Sequence, residues 1–199
     1  MRELPDIHGY CDPRFSAVKD AFARNFESGL EGGSSFAVTM DGEVVVDLWS
    51  GYSDAARTIP WQEDTITLVN STTKVMTALC ALILVDRGQL DLDSPVSDYR
   101  PEFARGGKEK VLVRWLLSHS AGLSGFDEPL PVETLYDWNR ITDILARQEP
   151  WWEPGTRSGY HMITFGYLVG ELVRRASGKS LGVFLLFQHD PGIGDHASP

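Results

Sequence analysis

The sequence predicts an α+β chain in which one helix and one β-hairpin precede a long helical region. Three observations carry this. Phe15, Val18, Phe22 and Phe26 recur at helical spacing within residues 14–28. Two β-rich runs, 35–40 and 43–49, flank Asp41-Gly42, a dipeptide suited to the tight primed turn of a hairpin. Beyond Thr65 the apolar positions return to a helical period.

The elements follow in order. Residues 14–28 make a one-faced helix, with Gly29 as its stop. The hairpin comes next. Residues 75–87 form the most apolar helix, ended by Gly88. Leu90 to Pro95 makes an extended turn, because Ser94 before Pro95 is pushed out of helical space. Residues 111–118 read as a short helix. Within 134–148, Leu135, Trp138, Ile141 and Leu145 share one side. Phe165, Leu168, Val169, Leu172, Val173 and Ala176 form a further stripe, closed by Gly178. A two-stranded hairpin is not a stable sheet by itself, and no obvious strand follows Trp49. Either the hairpin packs on helices unaided, or the strands that complete its sheet are missing.

Composition narrows the functions. The 199 residues are 42% hydrophobic and 23% charged, the balance of a globular chain. Eighteen Lys and Arg against 28 Asp and Glu give a net charge of −10. So acidic a surface repels phosphate backbones and anionic head groups, which argues against nucleic acid or a membrane as partner. The first 15 residues lack the basic-then-apolar layout of a secretory signal, so a cytoplasmic location is the expectation. Cys11 and Cys80 make no CxxC pair, and Cys80 reads as a buried thiol.

The chemical candidate is Ser71-x-x-Lys74. At a helix start, residues three apart share a face, so the amine reaches the hydroxyl. The helix N-terminus favours a developing alkoxide, and burial would lower the lysine toward the neutral, basic form. Alone the pattern is weak. Ser16-Ala17-Val18-Lys19 matches it too, within the helix expected over residues 14–28, and Ser71 by itself also fits an ordinary helix cap. A second element is the turn-rich run 152–160, which delivers Tyr160 just before a strong helix. A phenol beside Lys74 would relay protons between nucleophile and leaving group.

Three motifs appear in order: Ser71-Thr72-Thr73-Lys74, then Leu116-Leu117-Ser118-His119-Ser120-Ala121-Gly122-Leu123, then Pro154-Gly155-Thr156 with Tyr160. Together they resemble the serine β-lactamase and penicillin-binding-protein superfamily, on the class C β-lactamase-like branch that includes the family VIII carboxylesterases. The resemblance spans residues 14–185. It implies a β-lactamase/transpeptidase-like fold, here mostly the helical half plus the N-terminal helix and hairpin. It implies Ser71 as the acylated nucleophile, Lys74 as its base and Tyr160 as the proton-transfer group, with an oxyanion donor at the Ser71 N–H. His119 looks structural.

Two departures matter. The lactamase pattern Tyr-x-Asn here reads Tyr160-His161-Met162. A thioether cannot donate the amide hydrogen bond, which leans the reading toward esters; His161 is expected to face solvent. The family's third motif, on a late strand that supplies a second oxyanion donor, does not follow Tyr160. The chain thus resembles a C-terminally truncated member: residues 1–187 form a partial domain and 188–199 a disordered, non-family tail. Losing one oxyanion donor costs about 100–1000-fold in turnover, so the chain alone is expected to be weakly active or inactive.

Other systems fail. Gly122-Leu123-Ser124-Gly125-Phe126 breaks the nucleophile-elbow pattern at its last position. HExxH, Walker A and dinucleotide signatures are absent, so no metal or organic cofactor is implied. His189, Asp190, Asp195 and His196 belong to the tail and are not expected to form a metal cluster. The leading expectation is a carboxylesterase acting on small esters through an acyl-enzyme. The alternatives are a β-lactamase or D-Ala-D-Ala peptidase, and an inactive remnant or non-catalytic binding module.

Overall fold

A computed structural model describes residues 4–189, which gather into two compact units that divide between Leu68 and Val69. The tail from residue 190, with Asp190, Asp195 and His196, lies outside the described residues.

The first unit is a small antiparallel sheet with one helix. Strands β2 (Gly33–Met40) and β3 (Glu43–Gly51) form the expected hairpin. Asp41 and Gly42 both take positive φ, 53° and 85°, as a primed turn requires. Helix α1 (Ser16–Glu27) follows a 3₁₀ turn, Pro13–Phe15, capped by the Asp12 carboxylate. Ser16 therefore opens α1 instead of lying inside it, because Pro13 and its cap take up the preceding turn. Phe22 and Phe26 pack edge-to-face, ring centroids 5.5 Å apart, in a core with Val45, Val46 and Leu48. Alternation along β3 buries Val46, Leu48 and Ser50, the period of two that a half-covered sheet requires.

The sheet has a third strand that the hairpin reading missed. Strand β1 (His8–Cys11) pairs antiparallel with β3, giving the order β1-β3-β2. Three strands against a helix suffice where two do not. The strand is short and mostly exposed, so it carries no alternating pattern to read. Gly9 is what admits it: φ is +97°, and a Cβ there would stand 2.0 Å from the Asp47 carbonyl oxygen. Gly9→Ala is expected to lower stability by about 1–3 kcal/mol, read as a drop in thermal midpoint; an unchanged midpoint would show that β1 contributes nothing to the sheet.

The second unit is helical. Helix α2 (Thr73–Asp86) buries Thr77, Cys80, Ala81 and Leu84, while Val75, Leu79 and Leu82 on its other side are exposed. It ends at Gly88, φ +68°. Helices α3 (Val96–Tyr99) and α4 (Val113–Leu117) are single short turns, the first unforeseen. The helix expected over 134–148 is divided. A 3₁₀ turn, Val132–Tyr136, precedes α5 (Trp138–Arg147), because the Asp137 carboxylate accepts from the Arg140 N–H and starts the helix there. Helix α6 (Thr164–Ser177) carries the predicted stripe and ends at Gly178, φ +72°. Helix α7 (Leu181–His189) was also unforeseen and runs past the expected end of the family-like region. Ile141 and Leu145 of α5 and Phe165, Leu168, Val169, Leu172 and Val173 of α6 join Cys80, Ala81 and Leu84 in one core.

A buried ionic node ties the helices. Glu171 of α6 is 1% exposed. Its carboxylate accepts from Trp138 Nε1 of α5 at 2.7 Å, Arg174 Nη2 at 2.6 Å and Arg175 Nε at 2.8 Å. Arg175 also pairs with Glu102, which Arg100 holds at 3.2 Å. No helix among the described residues is long and apolar enough to cross a membrane.

Candidate active site

Ser71 lies in a 3₁₀ turn, Asn70–Thr72, immediately ahead of α2. Asn70 takes φ +45°, one of the residue types that tolerates the left-handed region. The turn leaves Ser71 exposed, two residues ahead of Thr73, where the α-helix begins, yet the three-residue spacing to Lys74 is kept. Lys74 Nζ donates to Ser71 Oγ at 3.1 Å. It also donates to the main-chain carbonyl of Met162 at 2.8 Å, across 88 residues. Lys74 is half-buried.

Tyr160 arrives at the same place. The Lys74 ammonium stands 4.9 Å from the centroid of its ring. Hydrogen bonding to the Ser71 hydroxyl, then to Lys74, holds the phenol below its ordinary pKa. The three residues singled out in the sequence are thus brought together.

The loop that carries Tyr160 is laced to the Leu-Leu-x-His segment, which explains why two distant motifs occur together. Trp151 N–H donates to Gly122 O at 2.8 Å, Gly155 N–H to Ser120 O at 2.9 Å and Gly159 N–H to His119 O at 3.0 Å. The Thr164 hydroxyl, at the head of α6, donates to Leu123 O at 2.6 Å. Gly155 (φ +84°) lies against Trp115, where a Cβ would come within 2.6 Å of the indole.

His161 does not face solvent. It is fully buried. Its Nε2 accepts from the Leu123 N–H at 3.2 Å, so the proton sits on Nδ1, which donates to Gly159 O at 2.6 Å. Both nitrogens are satisfied by main chain, and burial, the largest influence, pushes the imidazole pKa down. This ring closes the turn around Tyr160. Sequence reasoning missed it because a loop folded onto another loop leaves no periodic trace. It also missed the Met162 carbonyl. The departure from Asn was read through the side chain, which is 62% exposed, whereas the main chain supplies the acceptor for Lys74. A carbonyl is common to every residue and carries no signal in a sequence.

Comparison with known proteins establishes the family. Residues 22–186 match the Beta-lactamase family, and the chain belongs to it. It is 40% identical over 184 residues to the esterase/beta-lactamase LipL of Mycobacterium tuberculosis (strain ATCC 25618 / H37Rv), covering 92% of this chain and 42% of LipL. The crystal structure of a family VIII carboxylesterase superposes with a TM-score of 0.87 at 48% identity, covering 90% of this chain and 49% of that one. A penicillin-binding protein homologue from Caulobacter crescentus gives 0.88 at 44%, covering 93% and 49%. The chain spans about half the length of these relatives, and its fold is that of the β-lactamase/transpeptidase group.

Proposed function

We propose that this chain carries the nucleophile of a serine hydrolase that cleaves small carboxylic esters through an acyl-enzyme on Ser71. The observation that supports this best is the 3.1 Å contact between Ser71 Oγ and Lys74 Nζ with the Tyr160 phenol beside both. In its neutral form Lys74 keeps one N–H on the Met162 carbonyl and turns its lone pair to the serine proton. As Ser71 Oγ attacks the ester carbonyl, Lys74 takes that proton. Tyr160, whose neighbours make it a readier acid than an ordinary phenol, passes a proton to the departing alkoxide. Water then attacks the acyl carbon, the same groups act in reverse, and the carboxylic acid leaves.

A β-lactamase or D-Ala-D-Ala peptidase is the second reading, favoured by the family match and by the double name of LipL. The exposed Met162 thioether weighs against it, since it offers no donor to an amide side chain. A non-catalytic role is the third.

The test is stoichiometric labelling, which detects an acylated serine even where turnover is weak. The folded chain is treated in parallel with a fluorophosphonate, p-nitrophenyl acetate and nitrocefin, then mapped by peptide mass. An adduct on Ser71 from the first two, with little nitrocefin hydrolysis, is expected. Modification elsewhere, or none in a folded sample, would sink the hydrolase reading. Fast nitrocefin turnover would favour the lactam reading.

A further inference from the structure

His119 makes two hydrogen bonds that flank one residue. Its carbonyl accepts the Gly159 N–H at 3.0 Å, and its ring Nδ1 accepts the His161 N–H at 3.1 Å. Gly159 and His161 are the two chain neighbours of Tyr160. The ring lies 5.1 Å from the Tyr160 ring and 4.9 Å from Phe165 of α6, so it also forms the floor on which the phenol rests. Tyr160 itself is 53% exposed, so the turn that carries it does much to fix its direction.

The backbone of His119 makes the case stronger. Its φ is +61°, a left-handed conformation that a side chain with a Cβ adopts only against steric strain. Glycine would take this conformation freely, so a histidine here brings something that glycine lacks. That something is the ring acceptor, with the ring proton on Nε2. Burial and then the charge of Lys74 both lower the pKa of this imidazole, which keeps Nδ1 available to accept.

We infer that His119 is a positioning residue that clamps the Gly159–Tyr160–His161 turn from both sides and so presents the Tyr160 phenol to Ser71 and Lys74. The inference rests on the proposed role of Tyr160 for its functional meaning, but the clamp is measurable without any turnover.

The test compares the full chain with His119→Gly, which suits φ +61° and keeps the carbonyl but has no ring acceptor. His119→Asn tolerates the same backbone and offers Oδ1 as a substitute acceptor. The readout is ionisation of Tyr160 alone, followed by NMR of ring-labelled tyrosine and assigned by its loss in Tyr160→Phe. In the parent and in His119→Asn, Tyr160 should titrate below an ordinary phenol. In folded His119→Gly it should return toward about 10, and fluorophosphonate labelling of Ser71 should slow on the order of 100-fold. A folded His119→Gly chain whose Tyr160 titrates as in the parent would overturn the inference. Should that variant not fold, a scalar coupling between the His161 amide nitrogen and His119 Nδ1 in the parent decides the matter, and its absence refutes the clamp. If Ser71 fails to label in every chain while the Tyr160 titration still follows residue 119, the hydrolase reading fails and the positioning role stands.

Discussion

Lys74→Met should slow acylation of Ser71 by about 100–10,000-fold, the range that a positioned general base supplies. Methionine preserves much of the stem but has no nitrogen to accept the serine proton or to bond the Met162 carbonyl. The fold should persist, because the ammonium's partners, Ser71 Oγ and the Met162 carbonyl, lie at the exposed head of α2 and not in the helical core. The measurement is the rate of adduct formation by time-resolved intact mass, with circular dichroism as the folding control. A folded Lys74→Met chain that labels at the parental rate would remove Lys74 from the chemistry.

The second large effect concerns stability. Burial works to raise the pKa of Glu171, but hydrogen bonds from Arg174, Trp138 and Arg175 outweigh it and hold the carboxyl at about 2. The folded state therefore binds this proton more weakly than the unfolded chain. Between roughly pH 4.5 and 2 the unfolded chain is protonated first, so stability present above 4.5 is lost as the pH falls. Glu171→Gln replaces an acceptor oxygen with an NH₂ facing N–H donors, leaves Arg174 without its counter-charge and leaves Arg175 with Glu102 alone. Breaking a buried pair costs about 3–5 kcal/mol. Both arginines are more than a third exposed and water softens their loss, so about 3 kcal/mol is expected at neutral pH. Denaturant titrations from pH 2 to 7 should show the variant less stable at pH 7 and with a flatter acid limb. Curves of equal slope would show that Glu171 does not govern acid unfolding.

The legible parts of this chain are those where one segment decides its own structure. Asp41-Gly42 dictates a turn whatever surrounds it, and the stripes of α1 and α6 follow from a single periodicity. Ser71 and Lys74 belong here too, since three residues of helical rise suffice to bring them together. The illegible parts depend on a distant partner. β1 is a strand only because β3 offers it an edge and Gly9 allows close approach. The start of α5 was decided by Asp137, a cap inside what reads as an unbroken helix. His161 looked like a polar loop residue, and it is buried because Leu123 and Gly159 present main-chain groups to both ring nitrogens. Of the site, Tyr160 stands out locally only as a tyrosine that a turn-rich run delivers to a helix, and its pairing with Ser71 and Lys74 comes from the family resemblance; nothing local in residues 152–160 says that its phenol meets an amine 86 positions earlier.

That separation has a temporal consequence. The hydroxyl and amine are four codons' worth of chain, and they are synthesised together. The phenol emerges from the ribosome only after a further stretch that, at 5–20 residues per second, takes roughly 4–17 s to translate. Throughout that interval the nascent polypeptide holds the serine and the lysine without the phenol that stands beside them in the folded chain. On the roles proposed above, the three groups can meet only once this loop has docked, so labelling of Ser71 would report on folding of the segment that carries Tyr160.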